Sequence, residues 1–567
     1  MRRIYITLMA IAASCCAVVA QESNDTVVVD RQINIEKEYT PEIKEVKRKN
    51  IEYQIEEVQT KESDLVYSNY VLPIIPNTPF TPLAPEKQSI VRMRTPKDGY
   101  AELGLGFDLN WRGQAYYKIL KSETDRLDVQ LRHYGTYWGE NKLNPKVNIF
   151  TGVGANYSHF IDKKHELGAT IGYSNRYYSY YGEDSLHWSD LDTTHRFQSR
   201  HTMNAEFNAR SIKTIKDWDY ETAAGYTLNN LQYCGITEHD VYVRGQGRRT
   251  FGKHQIELNL KAEGWIYSKN VSGYENVVIE FEPAYNINHK VVDLHAGVRM
   301  AVSAMQGEAF YAMPNITAAF HAHKMVRIDL AATGDLRTNQ LSQIVDLNPY
   351  FNIFDATNKT AAVNNTYKPI DASLAINITP VSNLTIKPVV SFRYIMNELN
   401  FENAYVSDEL GNAMMTRYFS YSQINSLPEV TVGLYANYML FDRYQFTVDY
   451  RWNCYEFAKR DYEIWNRPTN ELHAGVDLKP IDDLNITLNY YLSTGRKMPD
   501  YKAGVGSIKM NDIHDLNIGA SYLIKKKVTV FIEANNILGS IEKLKWQTWN
   551  GYDSMGFNMI FGAKFCF

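Results

Sequence analysis

The chain has 567 residues and a formal net charge of −4, with 60 Lys and Arg against 64 Asp and Glu. This balance excludes the strongly basic character expected of a nucleic-acid-binding protein. Hydrophobic residues make up only 44% and the mean hydropathy is −0.38, which excludes a bundle of membrane helices. The 41 Tyr residues, in contrast, are typical of a transmembrane β-barrel, which combines aromatic girdles with a polar interior.

The N-terminus predicts an export signal. Arg2 and Arg3 precede an apolar run that ends at Ala20, followed by a plausible cleavage point before Gln21. Residues 1–20 are therefore predicted to be a signal peptide. The alternative is lipidation of Cys15, although the residues after it remain apolar. No later apolar run is long enough to form a spanning helix.

Residues 21–98 are predicted to form a periplasmic N-terminal segment, charged in its first half and rich in proline in its second. Near its start lie Asp25, Thr26, Val27, Val28 and Val29. These five residues resemble the short box through which TonB-dependent receptors engage the energy-transducing protein TonB. The resemblance implies TonB as a partner; the alternative is a short tail with β propensity.

Five prolines recur at every third position later in this segment, namely Pro73, Pro76, Pro79, Pro82 and Pro85. Polyproline II has three residues per turn, so the five rings would share one edge of a stiff rod. At roughly 3.1 Å per residue this rod would extend about 40 Å, comparable to the full thickness of a bilayer. It is expected to act as a spacer below a barrel or as a strut inside its lumen, and the sequence leaves both readings open.

From residue 99 onward, apolar and polar residues alternate in stretches of about 9–11 residues, the length at which tilted strands cross a bilayer. Clear examples are 256–266, 446–453, 472–479 and 484–492. Short turns alternate with long polar loops near 178–195, 336–364, 396–427, 457–467 and 537–555. Residues 99–567 are therefore predicted to form an all-β antiparallel barrel of about 22 strands, within a range of 16–24, with Met414–Ser422 placed in a loop. The short turns would face the periplasm.

The last strand has two distinct faces. Phe561, Phe565 and Phe567 share one face, whereas Gly562 and Lys564 lie on the other. A chain that ends in this way resembles outer-membrane barrels of Gram-negative bacteria, in which the terminal aromatic residue is read by the barrel-assembly machinery. The alternative is an edge strand of a soluble sheet.

The penultimate strand adds a second resemblance, because it closes on Asn535 and Asn536 as the last hairpin of TonB-dependent receptors commonly does. The chain differs from those receptors in the segment that would form the plug. Only about 75 residues precede the barrel, and no Gly occurs from Gln21 to Lys97, so a full-length plug is not expected. The lumen should instead be filled by the proline-rich segment, by inward-folded loops such as 336–364, or by a partner protein.

The sequence shows no spacing that indicates catalysis, a metal site or a cofactor. His321 and His323 lie two residues apart, but a solvated hairpin explains them better than a metal site.

Two functions remain. The first is a TonB-dependent-receptor-like barrel that imports an unknown substrate across the outer membrane. The alternative is a non-transport envelope barrel that docks periplasmic or surface proteins. Outer-membrane lipid and the assembly machinery are expected partners in both cases, and nucleic acid in neither.

Overall fold

The computed structural model describes residues 97–107, 109–138, 145–182, 196–212, 217–268, 271, 273–353, 363–407, 413–455, 463–499 and 506–567. All of these lie in one compact unit, Thr60–Phe567. The predicted signal peptide, the segment Asp25–Val29 and the five prolines lie outside the described residues.

The chain forms a closed antiparallel barrel of 22 strands, in which each strand pairs with the next barrel strand along the chain and the first pairs with the last. This confirms the predicted fold class and strand number. The barrel strands are β1 Gly99–Gly106, β2 Asn110–Lys121, β3 Asp125–Trp138, β4 Lys146–Ile161, β5 His165–Ser179, β6 Phe197–Ser211, β7 Trp218–Leu231, β8 Ile236–Phe251, β9 His254–Tyr267, β10 Asn276–Asn288, β11 Val292–Ser303, β12 Phe310–His323, β13 Val326–Arg337, β14 Thr366–Val381, β15 Leu384–Met396, β18 Leu427–Leu440, β19 Tyr444–Cys454, β20 Asn470–Ile481, β21 Leu484–Thr494, β24 Ile513–Ile524, β25 Val528–Asn535 and β28 Asn558–Cys566.

The remaining elements belong to the connections between barrel strands. Three hairpins form separate two-stranded sheets: β16 Glu398–Ser407 with β17 Ala413–Ile424, β22 Lys497–Pro499 with β23 Ser507–Lys509, and β26 Gln547–Trp549 with β27 Tyr552–Asp553. The connection after β13 contains the helix α1, Leu341–Leu347, and two 3-10 turns, Ile537–Ser540 and Glu542–Leu544, follow β25. Met414–Ser422 falls within β17, off the barrel wall as predicted. No helix among the described residues is long and apolar enough to cross a membrane.

Successive side chains alternate between the lumen and the outer surface. In β28, Phe561 is 56% exposed and Phe565 46% exposed, and Phe567 just beyond the strand is 49% exposed, whereas Ile560 and Cys566 are buried. The two faces predicted for this strand are therefore confirmed, with the aromatic face outward. An apolar outer face and a polar inner one are the arrangement that a barrel needs in lipid.

The two ends of the barrel differ in their connections. At the turn end, which holds Gly99 and Phe567, strands are joined by short turns such as those after Ile161 and Phe251; the loop end holds the long connections. The hairpin expected around His321 and His323 turns at Lys324 and Met325, directly after β12. β12 continues to His323 because an irregularity in its pairing with β13, between Phe320 and His323, allows the ladder to extend.

Strand length also departs from the prediction of 9–11 residues. The barrel strands run from 8 residues in β1 to 16 in β4, and β3–β6 have 14–16 residues each. The minimum length reflects only the hydrocarbon thickness. Hydrogen bonding between neighbours can continue in water, so the longer strands extend past the apolar layer.

The seam between β1 and β28 is fastened from inside the lumen. The Arg112 guanidinium lies 2.8 Å from Glu102 and 2.9 Å from Glu533, so one cation joins β1, β2 and β25 across β28. The strands also approach closely here, because a Cβ added at Gly562 would lie 2.2 Å from the carbonyl oxygen of Leu103. The absence of a side chain at Gly562 permits this closure.

Candidate functional site

The loop end of the barrel is covered by its own connections, which we call the lid. The lid comprises Tyr180–Tyr181, the segment Leu341–Phe351 that begins with α1, the hairpin β16–β17 and the hairpin β26–β27. These segments leave the barrel at β5, β13, β15 and β25, so they come from widely separated parts of the ring. Their mutual contacts therefore require them to extend across the mouth.

Aromatic side chains form the centre of the lid. The rings of Tyr350 and Tyr552 stack with centroids 3.6 Å apart, and Tyr181 meets Tyr552 edge-on at 5.0 Å. Phe419 packs against Trp549 at 5.4 Å, which brings the hairpins β16–β17 and β26–β27 together. Tyr552 is fully buried, and this burial raises its pKa well above that of a free phenol. The centre of the lid is thus packed like a protein core.

Backbone and polar contacts connect the same segments. The Tyr552 hydroxyl donates to the carbonyl of Arg417 at 2.6 Å, and the Arg417 guanidinium donates to the carbonyls of Tyr181 and Gly182 at 2.6 Å each. Asn550 donates its side-chain amide to Asn403 at 2.8 Å. Each bond joins two different connections, so the lid acts as one cross-linked layer.

The helix α1 is tied to the barrel wall by Glu238, a buried carboxylate on β8. Glu238 accepts hydrogen bonds from the Ser342 backbone N–H at 3.1 Å and from the Tyr267 hydroxyl at 2.9 Å. The Tyr267 hydroxyl in turn accepts from the Leu341 N–H at 3.0 Å. Two N–H groups at the start of the helix, which have no partner within it, are thereby satisfied by the wall. The connection 336–364, one of three candidates named from the sequence for filling the lumen, thus contributes a buried helix to the lid.

A buried ion triad, which we call the latch, holds the base of the hairpin β16–β17. Glu398 lies 3.3 Å from Arg337, at the end of β13, and 2.6 Å from Arg467, in the connection before β20. The Glu398 side chain is only 5% exposed. Burial alone would raise the pKa of this carboxyl, but the two guanidinium groups hold its pKa below the ordinary value. Glu398 is therefore ionised at neutral pH and joins three connections.

Arg496 forms a second buried junction, without a carboxylate in contact. Its guanidinium donates to Asn466 Oδ1 at 3.0 Å, to the Asn511 carbonyl at 3.0 Å and to the Thr548 carbonyl at 3.3 Å. Burial of the cation lowers the pKa of Arg496 to about 10. Arg496 thus joins hairpin β26–β27 to the connections that precede β20 and β24.

A cavity of about 280 Å³ lies beneath the lid, between α1, the latch and the wall strands β9 and β13–β15. Its lining is mostly charged and polar, and includes Lys261, Glu263, Asp335, Lys368 and Arg393. The lumen holds charges of both signs as internal ion pairs, with Lys261 and Glu263 at 2.6 Å and Arg451 and Asp449 at 2.7 Å. Water would fill such a space readily.

Few of the residues singled out from the sequence lie in the lid. Phe561, Phe565 and Phe567 lie on the outer face of the last strand, away from the lid. Tyr552 and Glu398, which are central to the lid, carry no local sequence signal, because their partners lie far away along the chain. Among the described residues, no group of three or more His, Cys, Asp or Glu side chains is arranged to hold a metal ion.

The fold is similar to those of several solved receptor structures. The siderophore receptor PirA from Acinetobacter baumannii superposes with a TM-score of 0.64 and 8% identity, over 84% of this chain and 81% of that chain. The FrpB iron transporter from Neisseria meningitidis gives 0.65 and 8%, over 84% and 82%. A mutant of the ferric enterobactin receptor PfeA from Pseudomonas aeruginosa gives 0.62 and 11%, over 84% and 81%. The barrel has the siderophore-receptor fold.

At sequence identities of 8–11%, the comparisons show only that this chain shares the receptor-type barrel fold. They do not identify its substrate. No protein-family model matches the chain, and no curated protein sequence matches it. The resemblance to TonB-dependent receptors inferred from the alternating strands and the last hairpin is confirmed at the level of the barrel. The function has to be argued from the lid, the lumen and the outer surface.

Proposed function

We propose that this chain is an outer-membrane transport barrel whose mouth is gated by its own lid. The observation that carries the proposal is that the wall beneath the lid is polar and charged, while the described side chains that close the mouth belong to the connections of the lid. A hydrated passage blocked by movable connections is suited to gated import. The structural neighbours, described as siderophore receptors and an iron transporter, support transport without identifying a substrate.

The proposal includes an orientation and a division of the chain. Residues 1–20 direct export, residues 21–98 lie in the periplasm, and the barrel of residues 99–567 presents its lid to the cell exterior. The short connections would then face the periplasm, as in other bacterial outer-membrane barrels. The aromatic residues Phe561, Phe565 and Phe567 serve as the signal for the barrel-assembly machinery.

The energy source proposed is TonB, engaged through Asp25–Val29 at the start of the periplasmic segment. The prolines at positions 73–85 are proposed to form a strut in the lumen, in place of a full-length plug. Deleting residues 25–29 should abolish uptake while leaving the amount of barrel in the membrane unchanged. Uptake that persists in this variant would exclude coupling through that segment.

The alternative is a docking barrel with a permanently closed lumen, and the packed aromatic centre of the lid is the observation that favours it. Conductance of the full-length protein in planar lipid bilayers separates the two functions. A gated transporter should be closed at rest and should show openings when the latch is removed by Glu398→Ala and the proposed strut by deletion of residues 73–85. A barrel that stays silent in this variant, after its lid has been shown to open, would have a lumen filled by other means, which supports docking.

A further inference from the structure

The outer surface carries a feature that transport does not explain. Strands β3–β8 each contribute one polar side chain to a continuous row of direct cross-strand partners. We call this the outer polar row; its members are His133, Thr151, Asn175, His201, Asn230 and Thr237. None of the six carries a fixed charge. All six lie within a few residues of the loop end of their strands.

Three of the five neighbouring pairs in the row are linked by hydrogen bonds. His133 Nδ1 lies 2.9 Å from the Thr151 hydroxyl, and Asn230 donates to the Thr237 hydroxyl at 2.8 Å. His201 contacts the Tyr173 hydroxyl at 2.9 Å and Gln232 Oε1 at 3.0 Å. The side chains remain at least partly exposed. Hydroxyl, amide and imidazole groups offer both donors and acceptors, and these internal bonds do not use all of them.

The row borders the apolar surface directly. The next set of cross-strand partners toward the turn end is Leu131, Val153, Tyr173, Met203, Leu228 and His239, and four of these six are apolar. Val153 is 52% and Met203 51% exposed. Side chains of this kind belong in the lipid hydrocarbon. The side chains therefore change from mostly apolar in this set to entirely hydrogen-bonding in the outer polar row.

The height of the apolar surface places the row at the headgroup level. On β5, His165 marks the border at the turn end and Asn175 belongs to the row. These residues are separated by about ten steps of roughly 3.3 Å. With the strand tilted by about 40°, the distance along the barrel axis is about 25 Å, the height of the apolar band in outer-membrane barrels.

We propose that the outer polar row docks the sugar-containing headgroup of an outer-leaflet glycolipid. Adjacent strands are about 4.8 Å apart, so the hydrogen-bonding groups of the row are closely and regularly spaced from one strand to the next. This spacing suits a headgroup that carries several hydroxyl groups. The acyl chains of the same lipid would lie against Val153 and Met203. Uncharged side chains favour neutral hydrogen bonding over attraction to simple anionic headgroups. The inference rests on the proposed orientation, which places the loop end in the outer leaflet.

The test is native mass spectrometry of the full-length protein in detergent, titrated with lipid A or with phosphatidylethanolamine. The test variant combines Thr151→Val, Asn175→Leu and His201→Leu. The control variant combines His165→Leu with Tyr220→Phe. The side chains of His165 and Tyr220 form a hydrogen bond of 2.8 Å at the opposite border of the apolar surface. Wild type and control should prefer lipid A by about tenfold or more, and the triple variant should lose that preference, since several hydrogen bonds disappear.

Equal binding of the two lipids by the wild type, or an undiminished preference in the triple variant, would overturn the inference. Folding is checked by the shift in gel mobility on heating, and His201→Leu alone replaces the triple variant if that shift is lost. Orientation is measured separately, by labelling Gln232→Cys in intact cells with an impermeant maleimide. Absence of labelling contradicts the proposed orientation, whereas labelling without lipid preference rejects the polar row alone.

Discussion

Removal of the latch carboxylate by Glu398→Ala should release the lid. The substitution leaves the guanidinium groups of Arg337 and Arg467 close together without their shared anion, in a site where the Glu398 side chain was 5% exposed. Breaking a buried ion pair by removing one partner costs about 3–5 kcal/mol. At 1.36 kcal/mol per factor of ten, the open fraction of the lid should rise roughly 150- to 5,000-fold.

Cys234 provides the assay. Its side chain is 8% exposed and belongs to the buried cluster that includes Tyr552 and residues of α1. In protein carrying Cys454→Ser and Cys566→Ser, a water-soluble maleimide should reach Cys234 only when the lid opens, so the labelling rate follows the open fraction. The readout is independent of any other obstruction in the lumen.

The control is Glu123→Ala, which removes an ion pair with Lys163 at the turn end, where the two side chains are 86% and 79% exposed. Exposed pairs contribute little, so its labelling rate should match the wild type. If Glu398→Ala also labels within about threefold of the wild type, the latch does not hold the lid and the reasoning from burial is refuted.

Three further results are expected. Tyr552→Ala removes a buried stacked ring, which costs about 3–5 kcal/mol, and should accelerate Cys234 labelling to a similar extent; an unchanged rate would contradict the packed lid. Arg112→Ala leaves two seam carboxylates without their cation and should lower the temperature of the heat-induced gel-mobility shift; the Glu123→Ala control should not. Because the pKa of Glu398 is lowered in the closed lid, its contribution is present above the ordinary carboxyl pKa and is lost as pH falls through the lowered value; labelling should therefore increase in acid, and less so in Glu398→Ala.

The sequence by itself determined the barrel. The alternation in β9, β19, β20 and β21 is a property of neighbouring residues, because successive side chains of a strand face opposite sides. The strand number also followed from local information, since each barrel strand pairs with the next one along the chain. The faces of the last strand were assigned correctly for the same reason.

The closure of the mouth depends on contacts between residues far apart in the chain. Glu398 meets Arg337 and Arg467 across 61 and 69 residues of chain, and Tyr552 stacks on Tyr350, which lies on another connection. Such pairs have no period in the sequence, because connections follow no repeating backbone geometry. Their meeting depends on the circumference of the closed barrel, which brings the loops of distant strands over one opening. Strand periodicity is a local property of the chain, whereas the lid is a consequence of closure.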